Sequence, residues 1–155
     1  MHPRSTIVVA EDDDAEYDLL KHAFEEARLL HSLVRLRNGQ EVIDYLLARG
    51  KFADRVLEAH LPCIVLLDMN MPVKDGKTTL EELKRNPKLK TLPVIMLTGT
   101  RDQEEVIESY KLGANAFIRK PFDFYDFMRA VGAFKLFWLD VVELPPALDL
   151  PGPSV

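Results

Sequence analysis

The sequence predicts an α/β fold, a doubly wound parallel sheet with helices on both faces. Three observations carry that prediction. Five short apolar runs alternate with five helix-like stretches along the chain. The third run, Ile64 to Leu67, is apolar at every position, which is the pattern of a strand covered on both sides. Polar or charged residues stand at the carboxyl ends of these runs, where open α/β sheets place their ligands.

The first run, Thr6 to Ala10, stops at the acids Glu11 to Asp14. A helix follows, with Leu20, Ala23, Phe24 and Ala27 on one face and Glu25, Glu26 and Arg28 off it. Acids at a helix start suit the positive end of its dipole, and Asp13 or Asp14 can cap it. Ser32 to Arg37 alternates as an edge-like strand does. Asn38-Gly39 is a turn signal, and Val42, Ile43, Leu46 and Leu47 mark a second helix. Residues 50–61 read as a long, mixed connection.

After Ile64 to Leu67, Pro72 keeps the strand from continuing. A helix from about Gly76 to Lys84 turns Leu80 and Leu83 inward and ends at Asn86-Pro87. Pro93 to Leu97 is a fourth strand, breaking at Thr98-Gly99-Thr100. Asp102 with Glu105 predicts a capping box, Val106, Ile107 and Tyr110 a buried face, and Gly113 the helix end. Ala114 to Ile118 reads as the fifth strand, ending at Arg119-Lys120-Pro121. Phe124, Phe127, Met128 and Val131 open a long last helix that reaches about Val142. One domain over residues 1–144 and a disordered, proline-rich tail over 145–155 are expected. Right-handed crossovers leave few topologies. The flavodoxin-like strand order 2-1-3-4-5 is a standard solution for a chain this size, adopted rather than read from the residues.

Composition narrows the function. Of 155 residues, 47% are hydrophobic and 29% charged, with 25 acids against 20 bases for a net charge of −5. These values are ordinary for a soluble domain, and no Lys/Arg stripe marks a nucleic-acid surface. No apolar stretch reaches membrane-spanning length and none at the start suits a signal peptide, so a cytoplasmic protein without a membrane partner is expected. The single cysteine, Cys63, cannot form an internal disulfide and reads as a small core residue. His2, His22, His31 and His60 lack metal-ligand spacing and read as surface or loop residues.

In the adopted order the first and third strands are neighbours, and their carboxyl ends bring Glu11, Asp12 and Asp68 together. Three converging carboxylates repel each other, so either one holds a proton with a raised pKa or a cation joins them. Oxygen ligands, few and open to water, suit Mg²⁺. An aspartate beside such an ion can act as nucleophile toward a phosphoryl group. Lys120 and Thr98, at the ends of strands five and four, offer the cation and the hydrogen-bond donor that phosphoryl oxygens require. Taken singly, each residue has a plainer role: a cap for Asp12 to Asp14, a strand end for Thr98, a core aromatic for Phe117 and a solvated lysine for Lys120.

AEDD, LLDMNMP, MLTG and IRKPF are similar, in order and spacing, to the motifs of two-component receiver domains, over roughly residues 6–140. The resemblance implies that Asp68 accepts a phosphoryl group from a sensor histidine kinase. It implies Mg²⁺ held by Asp12 directly, by Glu11 through water, by Asp68, and by the Asn70 carbonyl. Lys120 would pair with the phosphoryl oxygens, and the Lys120–Pro121 bond would be cis. Thr98 would move onto the phosphoryl group and Phe117 would turn inward after it. Two departures stand out: Glu11 replaces the usual first aspartate, and Gly99 follows Thr98 where a small residue such as Ala is usual, which predicts a more flexible loop.

The last helix is apolar on more than one side, with Phe134, Phe137 and Val141 in one stripe and Trp138 and Val142 in another. The ending FWLDVVELP and the 50–61 connection look like those of the stand-alone response regulators associated with bacterial phytochromes. That resemblance implies a homodimer, here through Val106, Tyr110, Phe134, Phe137, Trp138 and Val141. The leading reading is a response regulator that catalyses at most its own phosphorylation and dephosphorylation. Two rivals stand beside it: a receiver-like dimerisation module that is not phosphorylated, and an aspartate-nucleophile phosphatase. The phosphatase is disfavoured because Asn70 stands where its general acid belongs.

Overall fold

A computed structural model describes residues 6–58 and 62–146. The strands β1 (Thr6–Ala10), β2 (Ser32–Leu36), β3 (Ile64–Leu67), β4 (Val94–Thr98) and β5 (Ala116–Arg119) form one parallel sheet in the order β2-β1-β3-β4-β5. The chain therefore has the flavodoxin-like (βα)5 architecture expected. Five helices alternate with the strands: α1 (Asp14–Glu26), α2 (Gly39–Leu46), α3 (Gly76–Arg85), α4 (Gln103–Lys111) and α5 (Phe124–Phe134).

The continuous apolar runs follow from having two covered faces. Val8, Ala10, Val65, Leu67, Val94 and Met96 pack with α2 and α3, whereas Ile7, Val9, Ile64, Leu66, Ile95 and Leu97 pack with α1 and α5. Each helix starts on an acid or amide cap. Asp13, Asn38, Asp75, Asp102 and Asp123 accept the backbone N–H of Glu16, Glu41, Thr78, Glu104 and Asp126, all at 2.8–3.0 Å. Asp13 thus fills the plain capping role, leaving Glu11 and Asp12 free for the site.

Within the long connection that starts at Gly50, Gly50–Glu58 winds as 3₁₀ helix. Several expectations need correcting. The fifth strand runs two residues later than expected at its start. The capping box at Asp102 does not close: its own N–H goes to Thr100 Oγ1 at 3.3 Å instead of to Glu105. On α4 the buried residue is Ser109, with Ile107 and Tyr110 half exposed. The Ser109 hydroxyl donates to its own helix at Glu105 O, which lets a polar residue go inward without an orphaned group.

The last helix does continue past Phe134, but Lys135–Val141 is π-helical, closing with an i→i+5 bond from Val142 N to Phe137 O at 2.8 Å. Phe134 was expected on a dimer surface and is instead core, edge-on to Phe24 at 6.0 Å. It continues the Phe127 and Val131 face of α5 against α1. Trp138 is half-buried on the same core, whereas Phe137 and Val141 are exposed. The proline-rich tail lies mostly outside the described residues. Of the histidines, His22 stacks on Phe124 and His31 is half-buried; His2 and His60 are outside the described residues. Cys63 is half-buried, and burial pushes its thiol up to about 11, which leaves it unreactive.

Candidate functional site

Strand register builds the site. β1 and β3 pair with Ala10 opposite Leu67, so the next residues, Glu11 and Asp68, leave the sheet side by side. Asp68 N donates to Ala10 O at 3.2 Å, and Glu11 N donates to Leu36 O at 2.9 Å, which ties both into the sheet edge. Carboxylate oxygens of Glu11, Asp12 and Asp68 lie within 4.8 Å of one another. Glu11 and Asp68 are buried and Asp12 is exposed.

The Glu11 carboxyl has a raised pKa, through burial more than through repulsion between the carboxylates. Burial, then hydrogen-bond sharing with Asp68 and Glu16, push Glu11 up to about 9, against the opposing charge of Lys120. Its Oε1 is buried with no donor. An orphaned carboxylate oxygen beside two more carboxylates is a donor set that fits a hard divalent cation, with oxygen ligands only and one side open to water. Beneath the cluster is a narrow pocket of about 10 Å³ lined by Glu11, Glu16, Asp68, Leu97 and Lys120, room for about one water.

β4 and β5 bring the remaining residues. Lys120 N donates to Thr98 O at 2.8 Å, extending the ladder one step past Arg119. Lys120 Nζ is 2.5 Å from Glu16 Oε2 and 3.6 Å from Glu11 Oε2. Burial alone would lower the lysine pKa, but Glu16, Glu11 and Asp68 outweigh it and the pKa is raised. Thr98 Oγ1 is buried without a partner, a hydroxyl poised at the strand end with its hydrogen bond still to make. Asn70 is exposed two residues beyond Asp68. Phe117 is half-buried against the α2/α3-side core, and its N–H is taken by Tyr110 Oη at 3.1 Å.

The cis Lys120–Pro121 bond is not observed, since every peptide bond of the described residues is trans. Trans is the lower-energy isomer before proline by roughly 0.5–1 kcal/mol, so it needs no further support.

Three residues of the site escaped the sequence reading. Glu16 looked like any acid in a first helical turn. Arg35 on β2 donates from Nε to Glu11 O at 3.1 Å, pairs with Asp14 at 2.7 Å, and lies 4.8 Å over the Tyr17 ring, which anchors the acidic loop from its far side. Gly76 matters by close approach: a Cβ there would meet Asp68 O at 2.2 Å. Only Gly76 carried a signal, as a small residue opening a helix soon after a strand end.

A model of the response regulator receiver domain matches residues 7–132. The chain belongs to the response regulator receiver family. It is 34% identical over 146 residues to response regulator Rcp1 of Synechocystis sp. PCC 6803, which covers 94% of this chain and 97% of Rcp1. Among solved structures, it resembles the phosphorylated cyanobacterial phytochrome response regulator RcpA, with a TM-score of 0.84, 32% identity, and coverage of 92% of this chain and 99% of RcpA. The Mn²⁺-bound form of Rcp1 gives a TM-score of 0.83 at 33% identity, covering 91% of this chain and 99% of that one. Receiver domains of this family bind a divalent metal in an acidic pocket, and Glu11, Asp12 and Asp68 form a cluster that could hold such an ion. Among the described residues no helix is long and apolar enough to cross a membrane.

Proposed function

We propose that this chain is a phosphorylation-dependent signalling protein whose acceptor is Asp68. The observation that carries it is the meeting of Glu11, Asp12 and Asp68 within 4.8 Å, with the Lys120 ammonium 3.6 Å from Glu11. Mg²⁺, bound by Asp12, Asp68 and the Asn70 carbonyl with Glu11 acting through water, would neutralise charge on both the attacking carboxylate and the incoming phosphoryl group.

Asp68 supplies the nucleophilic oxygen, held at the end of β3 by its own N–H and by the close packing of Gly76. Glu11 and Asp12 keep the approach lined with oxygen ligands. Lys120 offers its ammonium to the phosphoryl oxygens, and Thr98, whose hydroxyl has no partner, donates to the same group. A shift of Thr98 toward Asp68 opens space that Phe117 enters, which changes the face bearing Tyr110, the partner of the Phe117 N–H. Phosphorylation adds about −1.5 to −2 charges at pH 7, enough to bias two pre-existing arrangements.

The donor in this reading is a phosphohistidine on a sensor kinase in the cytoplasm. The chain's likeness to the cyanobacterial phytochrome response regulator RcpA favours a phytochrome kinase. The protein turns over no substrate beyond its own acyl phosphate. Exposed Ile107, Tyr110, Phe137 and Val141 support a homodimer through the α4 and π-helical surfaces.

Acetyl phosphate with Mg²⁺ is expected to raise the mass of the chain by one phosphoryl group, and Asp68→Asn to abolish the gain. A phosphorylated Asp68→Asn variant would refute the acceptor assignment. Rapid turnover of a phosphate ester would favour the phosphatase rival instead.

A further inference from the structure

We propose that Glu16 is a positioning residue that parks the Lys120 ammonium away from Asp68 until a phosphoryl group arrives. The inference rests on the acceptor reading of Asp68 given above. Glu16 lies in the first turn of α1, five residues past Glu11, and points its carboxylate back into the same pocket. Its Oε2 takes Lys120 Nζ at 2.5 Å, while the nearest Glu11 oxygen is 3.6 Å from that nitrogen. Among the described residues Lys120 makes no ion pair with Asp68.

The arrangement settles a competition. Lys120 is held largely away from solvent, with a side-chain exposure of 15%. Released from Glu16, its ammonium has Asp68 and the oxygens of Glu11, already 3.6 Å away, as its remaining acidic partners in the pocket. Seated between them it would supply the positive charge that a divalent cation otherwise brings. By holding the lysine, Glu16 keeps the Asp68 oxygens available to the metal.

The same ion pair resists the transfer step. In that step an Asp68 oxygen attacks the phosphorus of the donor and a new O–P bond forms. The donor's N–P bond, or the acyl O–P bond of acetyl phosphate, breaks, and its electron pair leaves with the imidazole nitrogen or with acetate. Lys120 must then loosen from Glu16 to meet the phosphoryl oxygens, and the Glu16 carboxylate, which lines the same pocket as Asp68, repels those oxygens. Glu16 thus favours metal binding and slows phosphoryl capture.

These opposed effects give a signature that general damage to the fold would not produce. The full chain and its Glu16→Gln variant are compared in two measurements, Mg²⁺ binding by calorimetry without a phosphoryl donor, and phosphorylation by acetyl phosphate across a Mg²⁺ series. The expected result is a Mg²⁺ dissociation constant raised about threefold or more, together with a rate constant at saturating Mg²⁺ also raised about threefold or more, the scale of a partly exposed ion pair. Glu16→Ala is expected to give the same split, which guards against an effect of the glutamine itself. Unchanged Mg²⁺ affinity, or a saturated rate that is unchanged or lower, overturns the proposal. A parent chain that takes up no phosphoryl group on Asp68 overturns the acceptor reading, and this inference with it.

Discussion

At the scale of single residues, Glu11 is the position where environment most changes chemistry. Its carboxyl titrates near 4.5 in the unfolded chain and is pushed up to about 9 in the fold. The folded state therefore binds this proton more tightly, and the contribution of Glu11 to stability is lost as pH rises between those values. Asp14, Glu16 and Glu41 have lowered pKa values, so their contributions are already complete above pH 5. The lowered pKa of His31, caused by burial, makes its contribution complete above about pH 6.5. From pH 7 to 9 Glu11 dominates among the carboxyl and histidine groups. The denaturant midpoint of the metal-free chain is expected to fall across that window. Glu11→Gln should flatten the slope, as should millimolar Mg²⁺, which takes the place of the proton.

At the scale of elements, the turn from β3 into α3 is the most constrained. Val73 sits at φ 67°, a left-handed conformation that disfavours a β-branched residue and costs about 1–3 kcal/mol. Gly76 opens α3 with its Cα against the strand end, where an added Cβ would meet Asp68 O at 2.2 Å and Met69 Cα at 2.7 Å. Both are backbone atoms, so the loop rather than a flexible side chain has to move. Gly76→Ala is expected to destabilise the chain by about 1–3 kcal/mol in denaturant unfolding. It should also slow acetyl-phosphate labelling, because the acceptor shifts with its backbone. Gly99 is different: nothing stands within 4 Å of an added Cβ, so no packing demand excludes a side chain there.

Elements were legible where one residue pattern had one physical cause. Ile64 to Leu67 is apolar throughout because alternate side chains enter two separate cores. The helix starts were visible because Asp and Asn side chains satisfy N–H groups that have no other partner. The face of α4 was not legible. Val106, Ile107 and Tyr110 satisfy a helical period, but periodicity does not say whether the covering surface lies in the same chain. The last helix misled for a related reason. A stripe drawn through Phe134, Phe137 and Val141 assumes one pitch, and the change to i→i+5 bonding after Phe134 rotates Phe137 and Val141 outward.

At the scale of the whole molecule, that outward rotation leaves Phe137 and Val141 on the surface, 55% and 66% exposed. Light scattering is expected to give a dimer mass at micromolar concentration, and Phe137→Asp with Val141→Asp to reduce it to the monomer mass. A monomeric parent chain would count against the homodimer. The core needs no partner to close: Phe24, Phe127, Val131 and Phe134 already bury one another between α1 and α5.

Sequence alone determined the alternation of strands and helices, the acids at the end of β1, and the single aspartate ending β3, because each is a local pattern with a local cause. Which carboxylates meet depended on β1 lying beside β3 with Ala10 opposite Leu67, a register between residues more than fifty positions apart. The tertiary structure also decided that Lys120 rests on Glu16. Two charges from the first turn of α1 and the end of β5 become partners only when the sheet brings both to one edge, where the lysine is largely covered and the glutamate half exposed.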